Sequence, residues 1–305
     1  MTAENLDRDV QFRTMSGEQR ELLMIQVAKR YYELDMTMGD LAKELGLTRW
    51  QASRLLSDAR ESGIVRTVNV ALVDNSEDRA TAAKVIELGR ARFADSGVQT
   101  RFVHGHANIG YGAAHNLVLH GSGADFHLVL NPDVELAADA IANGVRWMNA
   151  HPDVGAIAPQ VRRRDGTRDY LVKRKPAVLD LALRGFLPGL GRVLFRRRLD
   201  RYEMRDVVDP DPARDIVDIA AMSGACMLLR RKAVDQTGGF DPGFFLYFED
   251  YDWTMRLNKV ARTAYVPSFE IVHHGGGAGR KGARHIGHFV RGGWRYYRKH
   301  GWKWW

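Results

Sequence analysis

Apolar positions first recur at helical spacing. In GEQRELLMIQVAKRYYEL, Leu22, Leu23, Ile25, Val27, Ala28 and Tyr31 follow the intervals of a helix rather than a strand, which predicts a helix from residue 17. Thr37 with Asp40, and Thr48 with Gln51, have capping-box spacing and predict two further helices, closed by Gly46 and Gly63. Helices joined by a tight Gly-containing turn form a helix-turn-helix. Its second helix would present Thr48, Arg49, Gln51, Ser53 and Arg54 to a DNA major groove. A helical protein-interaction module has the same pattern.

From residue 67 the pattern changes. VNVALVDNS reads as a buried strand, 79–95 as a helix and QTRFVHG as a second strand. NIGYGAAHNLVLHGS is a Gly-opened turn into a helix, DFHLVLNPDVEL a strand with a polar tip, 138–150 a helix, and GAIAPQVRRRDG a strand and turn. This alternation predicts an α/β fold, a largely parallel sheet flanked by helices, with function at the strand C-termini. Residues 177–205 are amphipathic and basic. They suit a surface insertion, an acceptor-binding flap, or a membrane contact through Arg196, Arg197 and Arg198.

Composition narrows the class. The 305 residues are 45% hydrophobic and 27% charged, as in a globular protein. Cys226 is the single cysteine, which excludes an internal disulfide and points to a reducing compartment. No apolar run approaches the roughly 18–20 residues of a spanning helix. A cytoplasmic location is expected, or a peripheral one on the inner membrane face. The net charge of +8 is uneven, with 10 Lys/Arg against 11 Asp/Glu in residues 1–66. Residues 271–305 hold 8 Lys/Arg, no acid, and Trp294, Tyr296, Tyr297, Trp302, Trp304 and Trp305. Such a tail suits an anionic membrane surface, with nucleic acid as the rival partner.

Five segments carry candidate chemistry. FFLYFEDYDWTMR, 244–256, sets Glu249, Asp250 and Asp252 among aromatic rings, as a pocket wall would, although an acidic helix start looks similar. LVLNPDVEL presents Asn131 and Asp133 on a turn stiffened by Pro132, suited to Mg²⁺ or Mn²⁺ held jointly with substrate phosphates. NIGYGAAHN combines Gly110 and Gly112 with Asn108 and Asn116, so that backbone N–H groups could approach a phosphate or sugar. Ser223–Gly224–Ala225 forms a small-residue platform open to a ligand, and His273, at a strand end, could be a further metal ligand.

VDNS, NIGYGAAHN, LNPDV, SGACMLLRR, GGFD, FEDYDWTMR and the VHH segment occur in one order. Together they resemble the family 2 glycosyltransferases of the rhamnosyltransferase type, with a GT-A fold, from about residue 69 to 300. The resemblance implies an inverting, metal-dependent transfer of a sugar, rhamnose from a dTDP donor above all. The acceptor would be a cell-surface polysaccharide or a lipid-linked precursor. It places Asp133 at the metal-binding acid, with Asn131 replacing the first acid of a DxD. Asp74 and Asn75 fall at the strand end that lines the nucleotide. Asp250 falls at the general base, Glu249 and Asp252 beside it in support, and His273 where it can reach metal or diphosphate. Family members open with a strand–helix unit of the form VSVIIVTYN, which has no counterpart here ahead of VALVDNS. That loss would remove a central strand and part of the base pocket. Ala278 also stands near a position where the family often has Ser.

YYELDMTMGDLAKELGLTRWQASRLLSDARESGIVR resembles the N-terminal domain of SorC-type sugar-responsive regulators. The expected organisation is a disordered 1–16, a helix-turn-helix over 17–66, a transferase domain over 67–290 and a basic aromatic tail over 291–305. The alternatives are a DNA-binding regulator with a degenerate sugar-nucleotide domain, and an inactive fusion.

Overall fold

A computed structural model describes residues 12, 14–32, 34, 36–62, 68–76, 78–94, 98–121, 123–185, 187–209, 214–275 and 283–305. Most of the expected disordered start, the joint at 63–67 and Ala278 lie outside the described residues. The chain divides into two compact units, residues 1–70 with 91–101, and residues 71–90 with 102–305.

The first unit contains helices α1 (Gly17–Tyr32), α2 (Met38–Glu44) and α3 (Arg49–Glu61). The Thr48–Gln51 capping box forms in both directions, and Thr37 caps α2 through its hydroxyl. Thr37 Oγ1 accepts from the Asp40 N–H at 3.3 Å, Thr48 Oγ1 accepts from Gln51 N–H at 3.2 Å, and Gln51 Oε1 accepts from Thr48 N–H at 2.9 Å. Val27, Leu41 and Leu55 are fully buried between the three helices.

Strands β1 (Asn69–Val73) and β2 (Gln99–Val103) flank α4 (Arg79–Phe93) and pair with each other as a separate ribbon. β1 is not the buried strand its sequence suggests: its residues are exposed or half-buried. Among the described residues it has β2 alone as a partner, and a two-stranded ribbon cannot cover both faces.

The larger unit continues with α5 (Tyr111–Leu119), β3 (Phe126–Leu130), β4 (Val134–Leu136), α6 (Ala140–Ala150), β5 (Val154–Arg162), β6 (Arg168–Asp169) and β7 (Val172–Lys173). A basic helical segment follows, α7 (Val178–Gly185), α8 (Pro188–Leu194), α9 (Arg196–Tyr202) and α10 (Arg205–Val208). Then come β8 (Ile216–Val217), β9 (Ala221–Met222), β10 (Cys226–Arg230), α11 (Arg231–Thr237), α12 (Glu249–Leu257), β11 (Arg262–His273) and α13 (Ala283–His300).

The main sheet has the order β3-β10-β5-β11-β4, with β6 on β5 and β8 on β11. β10 runs antiparallel to β3 and β5, β4 and β8 run antiparallel to β11, and the β5–β11 pair is parallel. The sheet is therefore mixed rather than largely parallel. The cause is CMLLR, which follows the small-residue platform and enters the sheet as a strand between β3 and β5. Its side chains alternate between faces. Cys226 and Leu228 pack with Met148 of α6, while Met227 and Leu229 pack with Phe240 and Trp253. Among the described residues β3 ends the sheet on one side, and β1 does not extend it.

Candidate active site

The acidic segment is positioned by a strained turn. Tyr247 and Phe248 have φ of +70° and +68°, a left-handed conformation that costs a non-glycine residue energy and persists where packing imposes it. The packing comes from Phe244, Phe248, Tyr296 and Tyr297, which are all buried in one cluster. The turn starts α12 at Glu249 and places the acids in its first turn, where the helix dipole favours negative charge.

The three carboxylates have separate fates. Asp250 is half-buried, and its Oδ2 accepts the Gly224 N–H at 2.9 Å while Oδ1 accepts its neighbour's, that of Tyr251, at 2.8 Å. Burial raises its pKa to about 6 despite these bonds. Glu249 is buried, and its Oε2 has no hydrogen-bond partner among the described residues. Burial and then the charge of Asp250 push it up to about 8, so near neutral pH the pair carries a proton. Asp252 is not beside them. It is fully buried and bonded to Arg256 at 2.8 Å, Lys299 at 2.8 Å and His300 at 2.7 Å. Burial alone would raise its pKa, but hydrogen bonds from His300, Lys299 and Arg256 hold it at about 2. The expectation that Asp252 orients the base is corrected: it fastens α13 to α12.

Tyr111, which the sequence reading passed over, links the two halves of the site. Its hydroxyl lies 2.9 Å from Asn131 Oδ1 and 2.8 Å from the Gly224 carbonyl. Burial, then Asp250, Glu249 and Asp133, raise its pKa well above the usual phenol value, so it remains a donor. Ser223 Oγ accepts the Ala225 N–H at 3.3 Å. The Ser-Gly-Ala platform therefore holds a carboxylate and a tyrosine, and its packing does not leave the backbone open as expected. The signal for Tyr111 was its place between Gly110 and Gly112 in NIGYG.

The NIGYGAAHN residues divide. Asn108 is exposed, and its Oδ1 accepts from Asn75 Nδ2 and from the Gly110 N–H, each at 3.1 Å. Asn75 Oδ1 in turn accepts the Ile109 N–H at 3.0 Å, and Asp74 accepts from Ser76. These residues form one polar rim. Gly110, Gly112 and Asn116 are engaged in packing within the protein. Gly110 has φ +94°, and a Cβ there would stand 2.6 Å from the Phe245 carbonyl; at Gly112 one would stand 2.6 Å from Phe240 Cβ. Asn116 donates to the Phe240 carbonyl at 2.8 Å and accepts the Phe240 N–H at 3.0 Å. Gly112 and Asn116 hold the GGFD turn against α5, and Gly110 lets the Phe245 backbone approach.

Asp133 and His273 meet, with Asp133 Oδ2 3.4 Å from His273 Nε2. Asp169, also missed by sequence reasoning, lies 3.8 Å from Nδ1, a buried nitrogen without a hydrogen-bond partner among the described residues. Asp169 and then Asp133 raise the imidazole pKa against the opposing effect of burial. Among the described residues no three His, Cys, Asp or Glu side chains converge as a metal cage. A carboxylate and an imidazole at a strand end do fit a hard cation whose other ligands are phosphate oxygens and water.

The Glycosyltransferase like family 2 profile matches residues 51–281. The chain belongs to that family. An N-acetylglucosaminyl-diphospho-decaprenol L-rhamnosyltransferase of Mycobacterium tuberculosis is 30% identical over 235 residues, 72% of this chain and 71% of the relative. This family 2 chain is a glycosyltransferase with a mixed α/β fold. A sorbitol operon regulator of Klebsiella pneumoniae is 51% identical over 43 residues, 14% of each chain. The mannosyltransferase PcManGT from Pyrobaculum calidifontis, solved with GDP-Man and Mn²⁺, aligns at 17% identity and TM-score 0.45. That alignment covers 69% of this chain and 49% of the solved one.

On the first unit, Arg49, Ser53 and Arg54 are exposed, and Arg54 pairs with Asp58 at 3.1 Å. Gln51 is buried and caps α3, so its side chain does not face a base as expected, whereas Thr48 stays exposed.

Proposed function

We propose that this glycosyltransferase moves rhamnose from a dTDP-linked donor, with inversion, onto a lipid-linked glycan acceptor at the inner membrane face. The observation that carries the reading is the half-buried Asp250 carboxylate, held by the Gly224 and Tyr251 N–H groups with its pKa moved toward neutrality. The rhamnosyltransferase relative supports the sugar and the lipid-diphosphate acceptor.

Asp250 takes the proton of the acceptor hydroxyl as that oxygen bonds to the anomeric carbon. The bond from that carbon to the diphosphate oxygen breaks, and the electron pair leaves with the nucleoside diphosphate. Protonated Glu249 limits the local negative charge, which keeps Asp250 available as the ionised member of the pair. Asp133 and His273 would hold Mg²⁺ or Mn²⁺, which supplies charge neutralisation for the leaving diphosphate. Asn131, oriented by Tyr111, and the rim of Asp74, Asn75 and Asn108 would face the nucleotide-sugar.

The test is thermal denaturation with dTDP and Mn²⁺, comparing wild type with Asp133→Ala. Stabilisation by nucleotide that requires the metal and disappears in the variant is expected. An unchanged wild-type melt at saturating nucleotide would rule out a working donor site and favour the inactive fusion.

A second activity, DNA binding by the helix-turn-helix, is favoured by the 43-residue likeness to the sorbitol operon regulator and by exposed Arg49 and Arg54. Duplex binding that weakens with salt and is lost on Arg49→Ala with Arg54→Ala is the expected result.

A further inference from the structure

Helix α13 has two unlike faces. Its inner face is fastened to α12, the helix that begins with Glu249 and Asp250. Tyr296 packs on Phe248 and Tyr251 with ring centroids 5.6 and 6.4 Å away, and His300 bonds Asp252 at 2.7 Å. A Cβ at Gly292 would stand 2.7 Å from the Tyr247 carbonyl, so the two segments approach as closely as backbones allow. Arg295 and Lys299 both bond Asp241 at the side, at 3.1 and 2.8 Å.

The outer face carries Ile286, Val290 and Trp294, spaced four residues apart, and they are 50%, 55% and 57% exposed. The stripe does not end with the helix. Trp294 meets Trp302 edge-on at 5.2 Å, and Trp302 stacks on Trp304 at 5.2 Å. The tail is fixed in place, since Val178 and Leu179 N–H groups donate to the Lys303 and Trp304 carbonyls at 2.8 and 3.2 Å. Trp304 and Trp305 remain exposed. Arg291 and Arg298, on the same helix, are exposed and have no ion pair among the described residues. No acid occurs anywhere in residues 271–305.

We infer that the outer face of α13 and the tryptophan tail form a docking surface for the headgroup region of an anionic lipid bilayer. Charge decides the occupant. A second copy of this face would set cation against cation, whereas an anionic leaflet attracts Arg291 and Arg298. The chemistry of the apolar part agrees: indole rings settle at headgroup depth, and an amphipathic helix with a basic polar side lies in the interface plane. Among the described residues no helix is long and apolar enough to cross a membrane, so contact by this face is lateral. Docking would place the carboxylate-bearing helix about 10 Å behind the one that touches lipid, a helix-to-helix spacing. This deepens the membrane part of the function proposed above, and it does not depend on sugar transfer.

Vesicle co-sedimentation of the full chain tests it, with phosphatidylcholine alone and with about one third phosphatidylglycerol added. Binding to the anionic vesicles only, released by salt, is the expected result. Val290→Glu with Trp294→Glu should weaken it about tenfold or more, through loss of buried apolar area and added repulsion. Arg291→Glu with Arg298→Glu should weaken it about fivefold or more per arginine. Both variants change exposed positions and should melt like wild type; if the first does not fold, the second still decides. Equal binding to neutral vesicles, or no binding to either, would overturn the inference, as would variants that bind like wild type. Self-association abolished by the same substitutions would assign the face to a second copy. Displacement of the vesicles by duplex DNA would assign it to nucleic acid. A docking failure with intact nucleotide-dependent stabilisation would leave the transferase reading standing.

Discussion

The backbone N–H of Gly224 donates to Oδ2 of Asp250 at 2.9 Å, across 26 positions of sequence. One hydrogen bond thus ties the residue ahead of β10 to the first turn of α12. It favours the ionised carboxylate, while burial opposes ionisation more strongly.

Asp250→Asn keeps the size of the side chain and removes the proton acceptor. Transfer should fall by about 10²–10⁴-fold, the usual contribution of a general base. In the wild type, kcat/KM should rise with pH through about 6 as the Glu249–Asp250 pair loses its first proton. Transfer rates of both proteins across pH check this, and a variant that retains full turnover would remove Asp250 from the mechanism.

Glu249 has the opposite relation to stability from an ion-paired acid. Its folded pKa of about 8 lies above the ordinary 4.5, so the folded chain binds this proton more tightly. The stability it contributes is fully present below about pH 4.5 and is lost as pH rises through about 8. Glu249→Gln should flatten the fall in Tm over that window. Melting curves of the two proteins at several pH values measure it.

Asp252→Asn should damage stability rather than chemistry. Removing this carboxylate leaves Arg256, Lys299 and His300 without their common anion, a loss on the order of 3 kcal/mol for a buried pair. The wild-type contribution is present above about pH 3.8 and is lost as pH falls through about 2. Urea denaturation gives the difference, and turnover per folded molecule should be nearly kept. A variant as stable as wild type but inactive would return Asp252 to the site.

Tyr111→Phe leaves Asn131 Oδ1 and the Gly224 carbonyl without their shared donor. A stability loss of about 1 kcal/mol is expected for the hydrogen bond, with a larger proportional loss of transfer because Asn131 is no longer oriented. Denaturant titration beside steady-state kinetics separates the two effects.

Features encoded locally were legible in the sequence. Thr48 and Gln51 are three residues apart, and their reciprocal bonds are those the spacing predicted. The same bonds bury Gln51, which is why it could not also be the DNA-facing residue it was expected to be. Features set by distant partners were not legible. Asn116 looked like a ligand-binding amide, but its partner is Phe240, 124 positions on. Asp252 looked like its neighbours, but its side chain is bonded to His300, 48 positions on. Strand direction was hidden as well. CMLLR has the same alternation whether it runs with its neighbours or against them, and only the path of the chain before it decides.

The amide of Asn116 gives Phe240 the donor and acceptor that an adjacent strand would supply. The turn leading to the acidic helix is thereby immobilised by the protein's own side chain before any sugar arrives. Substrate then has no segment to order at that wall, and the conformational entropy of binding it is already spent in folding.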